Sequence, residues 1–517
     1  MKKQMIVYIT ILMVGMFLSG CLSEEGTTNI QRETGNQSSG DHKSLTVLFS
    51  FASSSLDPHQ DWMPVPAGMA ETLVKVDENL EIQPWLAESW EQIDERTWVF
   101  NIREGVKFHD GTSVDAEAVK ASFERAMEVN RAVASTLKIE DMEATGQALT
   151  FITSEPYPAL LTELVHTNTA VIKVDAEDIG TQPIATGPFK VTDFTPQVEI
   201  QLERFEDYWD GMPNLNEVTV TFNSDSNVRS LALQSGEADI AFHLSPEALE
   251  PVELSEDLRI ESITSLRAHF LLYNMQHPAL QDHNVRKALD LIVNRPVMVR
   301  EIMNGHGTQA NGPYNPDLPF ATEQAGDTYD PSLAEALLID AGYDKNEAGF
   351  MQKDGEPLSF TLATYQGRPE LPVIAQYLQS EAAAIGVDMN VVTVENIESY
   401  LWEQQDEWDI VTYSNMTAPR GDGGYFLNVA YGPDGSLNPG HIHIPELNDI
   451  RQQLNATADR EERVALQQAA TAIIQDEILH SFMLYPHIIV GVHERVTNWR
   501  PGAVEYYIID HKMDVAW

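Results

Sequence analysis

Leu371-Pro372-Val373-Ile374-Ala375-Gln376-Tyr377-Leu378-Gln379-Ser380-Glu381-Ala382-Ala383-Ala384-Ile385-Gly386-Val387-Asp388-Met389-Asn390-Val391-Val392-Thr393-Val394 holds one helix and one strand in direct succession. Residues 371–385 read as the helix, Gly386 closes it, and 387–394 read as the strand. Glycine suits the position past a helix end because it accepts the left-handed backbone that side chains resist. The same ending recurs outward from this stretch. A helix over 228–235 stops at Gly236 and one over 333–341 stops at Gly342, while the longest helical pattern covers 460–478. Short apolar runs at 45–51, 98–103, 149–153, 198–202 and 218–222 are strand candidates. Asp110-Gly111 marks a turn, and Ser113 is placed to cap a helix over 114–129 with Glu117 in its first turn. Strands and helices interleaved in this way specify an α/β body.

The chain of 517 residues is long enough for roughly three or four domain-sized units. Its 43% hydrophobic content supports a sizeable core and excludes a wholly disordered chain. Asp and Glu number 79 against 32 Lys and Arg, a formal charge of −47. Nucleic acids need basic surface to displace counterions, so they are not partners, and anionic lipid surfaces repel this body. The excess keeps the chain soluble at some cost in self-repulsion, and fits a salt-rich medium that screens like charges.

Lys2 and Lys3 precede an apolar run over 5–18 that ends in Leu18-Ser19-Gly20-Cys21. The run is too short to span a membrane comfortably and sits where a secretory signal sits. Leu-Ser-Gly-Cys resembles the bacterial lipobox, which implies that Cys21 is the lipidation site. An ordinary signal peptide that happens to contain a cysteine is the alternative. Residues 22–44 are rich in Ser, Gly, Thr, Asn and Glu and read as a flexible tether. Cys21 is the single cysteine, so the exported body has no disulfide, no thiolate nucleophile and no cysteine zinc site. The expected location is outside the cytoplasm, at the cell surface or in the periplasm, with only the lipid anchor in the membrane.

A set of short motifs carries a family resemblance. Glu71-Thr72-Leu73-Val74, Pro84-Trp85-Leu86-Ala87-Glu88-Ser89-Trp90 and Thr97-Trp98-Val99-Phe100-Asn101-Ile102-Arg103 come first. Val106-Lys107-Phe108-His109-Asp110-Gly111, Thr186-Gly187-Pro188-Phe189 and Tyr208-Trp209 follow. Leu233-Gln234-Ser235-Gly236-Glu237-Ala238-Asp239, Val285-Arg286-Lys287-Ala288 and Tyr329-Asp330-Pro331 complete the series. In this order they resemble the extracellular solute-binding proteins of peptide/nickel ABC importers, solute-binding family 5, and within it the nickel-binding branch. The resemblance implies a type II periplasmic-binding-protein clamshell of two α/β lobes joined by two hinge strands. Its division implies a signal peptide over 1–21, a tether over 22–44, a first lobe over 45–265 with 486–517, and a second over 266–485. An extra subdomain on the first lobe covers roughly 82–190.

The resemblance also places the ligand. Asn415, Thr417, Arg420, Asp422 and Tyr425 lie in the loop that faces the cleft. There a guanidinium suits a carboxylate, a carboxylate suits an amine or cation, and three glycines free backbone amides. Arg420 paired with Asp422 at the surface is the alternative reading. Trp62 and Met63 lie in the first cleft-lining loop, where His59 can reach a metal; a packed loop is equally consistent. His166 and Asn168 lie where nickel-chelate binders carry an arginine, which this chain lacks. Tyr273 and Asn274 follow the first hinge crossing, and either ligand or hinge contacts suit them. His441 falls near the region that supplies the metal-binding histidine, with His443 two residues on. Histidine binds metal only when neutral, so metal uptake is expected to weaken below roughly pH 6.

The expected function is capture of a small ligand, nickel or another metal chelate, for delivery to an ABC permease pair driven by cytoplasmic ATPases. An oligopeptide or dipeptide receptor is the alternative of the same class, and an adhesion or chaperone-like surface lipoprotein the alternative of another. No Gly-x-Ser-x-Gly, His-Glu-x-x-His or phosphate loop occurs, so no enzyme is expected. No resident cofactor is expected, and the protein is expected to be a monomer.

Overall fold

The stretch at 371–394 folds as its residues dictate. In the structure, a computed structural model that describes residues 42–323 and 328–516, the helix is Glu370–Ala384 and the strand Asp388–Val394. Leu371, Ile374, Ala375, Leu378 and Ala382 share one buried stripe. Gly386 has φ +85°, and a Cβ there would stand 2.7 Å from the Gly349 carbonyl oxygen, so only glycine fits. The strand then lies parallel to Ser359–Tyr365, which in turn lies parallel to Ile410–Met416.

These strands belong to one twelve-stranded sheet. Its path continues through Arg267–Tyr273, His480–His493, Ile240–Ala241, Ser44–Phe49, Glu217–Phe222, Glu199–Arg204 and Phe189–Thr195. The strand His480–His493 is buried along almost its whole length and joins two halves of this sheet. Arg267–Tyr273 pairs with its residues 480–484, and Leu258–Thr264 with its residues 487–493. The chain therefore passes between halves twice, at Ser265–Leu266 and at Pro486. Each half packs its own core, one around Leu45, Phe49 and Val220, the other around Leu289, Leu362 and Leu378.

A separate four-stranded antiparallel sheet comprises Ala87–Gln92, Thr97–Ile102, Ala148–Thr153 and Ile139–Thr145. The helix Ala116–Val129 covers it, with Phe123 5.0 Å from Phe151, which lies 5.3 Å from Phe100. Asp115, not Ser113, caps this helix: its carboxylate accepts the Ala118 amide at 2.9 Å. The helix starts two residues later than expected because the carboxylate is the stronger acceptor for the first-turn amides. Asp110-Gly111 is a turn, closed by the Gly111 amide donating to the Phe108 carbonyl at 2.8 Å. The end of the expected tether is held in the body. Lys43 pairs with Asp514 at 2.6 Å, and Ser44 opens the first strand.

Glu71 is fully buried beside these elements. The Tyr208 hydroxyl donates to it at 2.7 Å and the Trp209 indole N–H at 3.1 Å. Burial pushes its carboxyl up to about 7, against the pull of those donors. Residues 1–41, with the expected signal peptide, Cys21 and most of the tether, lie outside the described residues. Among the described residues no helix is long and apolar enough to cross a membrane.

Candidate functional site

A cavity of about 670 Å³ opens where the two sheet halves face each other. The first half contributes Ser50, Phe51, His243 and Glu505, the second Arg267, Arg368, Glu370 and Met416. Five acids line the cavity, Asp225, Glu247, Glu301, Glu370 and Glu505, and all but Glu247 are engaged. Glu505 lies 2.5 Å from His243 Nε2, whose Nδ1 lies 2.6 Å from the Ser50 hydroxyl. Burial alone would raise the Glu505 carboxyl, but His243, Arg368 and Arg267 together hold it below the usual range. Glu370 meets His269 Nε2 at 2.7 Å, and this bond with Arg368 overrides burial to hold its carboxyl at about 2. Asp225 caps the helix Ser226–Ser235, and Glu301 pairs with Arg300.

The two arginines are less satisfied. Arg267 Nη1 donates to the Ser414 carbonyl at 3.2 Å and hydroxyl at 3.3 Å, and burial and then Arg368 lower its guanidinium to about 10. The Arg368 guanidinium lies over the Phe51 ring at 5.7 Å, across the cavity, and among the described residues makes no hydrogen bond or ion pair. In a chain so acidic, two guanidiniums gathered at one cavity make a local site for anions.

Tyr506, next to Glu505, leads to a third arginine. Burial raises the Tyr506 hydroxyl to about 12, while Arg420 pulls it down. Arg420 lies over the Tyr425 ring at 5.1 Å, and its Nη1 pairs with Glu163 of the helix Leu160–Glu163. Its Nε is buried without an acceptor. The His166 ring stands edge-on to Tyr506 at 6.2 Å. Its Nδ1 accepts the Asn168 amide, and burial lowers it to about 4, so the ring is neutral at physiological pH.

The structure therefore brings together Arg420, Tyr425 and His166 among the expected residues. Asn415 lies nearby on the strand Ile410–Met416, paired in register with Ala268. The others point elsewhere. Arg463 and Gln467 grip the Asp422 carboxylate at 2.8 Å and 3.1 Å, so Asp422 is neither the partner of Arg420 nor open to an amine. The Thr417 hydroxyl donates to the Leu266 carbonyl. Met63 is fully buried in the first half's core, and Trp62 packs edge-on against Phe49 at 6.3 Å. Asn168 donates to the Pro58 carbonyl at 2.7 Å. Tyr273 bonds Ser481 at 2.7 Å deep in the second half, and Asn274 donates to Gln405 and Trp408 carbonyls.

Neither histidine expected to bind metal is poised to do so. His59 is fully buried, with Arg125 donating to its Nδ1 at 2.7 Å and the Ala170 carbonyl 3.0 Å from its Nε2. Both nitrogens are spent. His441 is exposed and meets only Gln405, at 3.3 Å. Among the described residues no group of three or more His, Cys, Asp and Glu is able to hold a metal ion. The residues missed from sequence are Glu163, His243, Arg267, Arg368, Glu370 and Glu505. The scarcity of basic residues was the one available signal for the arginines, since each stands out in an acidic chain.

The model of bacterial extracellular solute-binding proteins, family 5 middle, matches residues 81–438. The chain belongs to this family. Curated and solved family members cover nearly all of it. It is 32% identical to the nickel-binding protein NikA of Staphylococcus aureus over 474 residues, which span 92% of this chain and 94% of that protein. A nickel ABC transporter protein from Bacillus halodurans superposes with a TM-score of 0.82 at 43% identity, over 92% of this chain and all of that one. NikA from Staphylococcus aureus with Ni(L-His)2 superposes with a TM-score of 0.78 at 32% identity and the same coverage. The fold is the two-lobed type II clamshell, with the twice-crossed sheet at its waist. Solute-binding proteins of this family act outside the cytoplasm with the permease and ATPase subunits of ABC importers.

Proposed function

We propose that this chain is the receptor of an importer that takes up nickel, or another divalent metal, as a chelate bearing carboxylates. One observation carries the reading. Arg267 and Arg368 line the cavity, and Arg420 lies near Tyr506, the neighbour of the cavity's Glu505, while the described residues hold no set of ligands for a bare ion. A naked divalent cation would meet guanidiniums there and carboxylates already held by histidines, with no set of ligands to replace its hydration shell. A metal wrapped by an amino acid presents carboxylate oxygens, which guanidiniums bind well. The nickel–histidine complex of the NikA relative supports the choice of metal.

Residues 45–265 with 486–517 form one lobe and 266–485 the other, in keeping with the crossings at Ser265 and Pro486. Closure around the chelate shifts the population toward the form the permease accepts. The protein performs no reaction, acts as a monomer, and is held to the membrane by a lipid on Cys21 through the tether that follows. The test is calorimetry with Ni²⁺ alone, L-histidine alone, and both together. Strong binding is expected only for the mixture. Equal binding of Ni²⁺ alone, or binding of a peptide pool in preference to the mixture, overturns the reading.

A further inference from the structure

Glu163 and Arg420 stand 257 residues apart and belong to different lobes. Their side chains are only 12% and 15% exposed, so the pair is largely shielded from water. Among the described residues Arg420 is the only ion-pair partner of Glu163. The carboxylate takes one guanidinium nitrogen, Nη1, and the Tyr425 ring covers one face of the group. Nε is buried with no acceptor. A guanidinium has five N–H donors in a rigid fork, so fixing one corner fixes where the others point. A buried N–H without an acceptor is costly, and such an edge is retained where an incoming group supplies the acceptor.

We propose that Glu163 is a positioning residue: it captures Arg420 across the cleft when the lobes close and turns the free Nε edge toward a carboxylate of the bound chelate. This rests on the reading of Arg420 as a chelate-binding residue. It follows that the anion site at this end is assembled by closure and is absent from either lobe alone. Affinity and lobe closure are then coupled through one ion pair.

Four variants test this: Glu163→Gln, Glu163→Asp, Arg420→Ala, and the exchanged pair Glu163→Arg with Arg420→Glu. All are made in the full chain with Cys21→Ser, so that cysteines placed at exposed Leu231 and Ile339, both away from the cavity, carry spin labels that report lobe separation. The probe ligand is Ni²⁺ with L-histidine. Glu163→Gln is expected to weaken binding about tenfold, the scale of one charge-assisted hydrogen bond, and to widen the ligand-free distance distribution. Glu163→Asp should recover part of both. The exchanged pair should recover the distance distribution and not the affinity, because the ligand still lacks its arginine. Unchanged or tighter binding by Glu163→Gln, with Arg420→Ala impaired, overturns the positioning role alone. Unchanged binding by Arg420→Ala overturns the chelate reading of Arg420 and this proposal with it. An exchanged pair that binds like the wild type also overturns it.

Discussion

Glu71 makes the stability of this protein fall as the pH rises from acid to neutral. Its carboxyl is pushed from 4.5 up to about 7 by complete burial. Below pH 4.5 both folded and unfolded chains keep the proton, and nothing is lost. Between 4.5 and 7 the unfolded chain releases it while the folded chain holds it, so stability falls through that window. Above 7 both are ionised and the loss is complete. At about 1.4 kcal/mol for each pH unit of separation, the total is about 3.5 kcal/mol. Glu71→Gln removes the charge and keeps the shape. Its amide carbonyl can still accept the Tyr208 hydroxyl, and its amide N–H can face the Thr186 hydroxyl beside it. Urea unfolding of both proteins from pH 5 to pH 8.5 isolates this group, because other titrations cancel in the difference. The variant is expected to gain on the wild type by about 3 kcal/mol across that range. Parallel curves for the two proteins would refute the burial argument.

The acidic excess predicts a melting temperature that climbs with salt between about 0.05 and 1 M, as screening relieves repulsion; a flat scan would count against adaptation to a salt-rich medium. Arg125→Ala leaves Asp57, 2.7 Å from the lost guanidinium, buried without its partner and strips the donor from His59. Its cost is about 3 kcal/mol in chemical denaturation, on the scale of breaking a buried pair. Gly440→Ala puts a Cβ 2.1 Å from the Tyr273 carbonyl oxygen, so little folded protein should be recovered and circular dichroism should show its loss. His441→Ala should leave nickel–histidine affinity within about twofold, since the exposed ring meets only Gln405; a large loss by calorimetry would return that residue to the site.

Much of the fold was legible because its signals are local. Gly236, Gly342 and Gly386 end helices where expected, each at positive φ. Strands came out within a residue or two at Thr97–Ile102, Ala148–Thr153 and Glu217–Phe222. Family motifs were legible too, but they belong to the scaffold: Glu71, Tyr208 and Trp209 meet in the core and not in the cleft. The site was read less well. Asp422 and Arg420 are two residues apart, yet Arg463 claims one and Glu163 the other. His59 has the chemistry of a metal ligand and lies where Arg125 and Ala170 use up both nitrogens.

The sequence by itself determined the α/β class, the family and the acidic composition. Those follow from composition, spacing and neighbouring residues, which act over a few positions of chain. Only the tertiary structure decided which charges face the cleft. Arg267 and Arg368 come from two separate segments, and their partners Ser414 and Phe51 from two more. An arginine is satisfied by whatever acceptor the closed fold delivers, and that acceptor can lie hundreds of residues away.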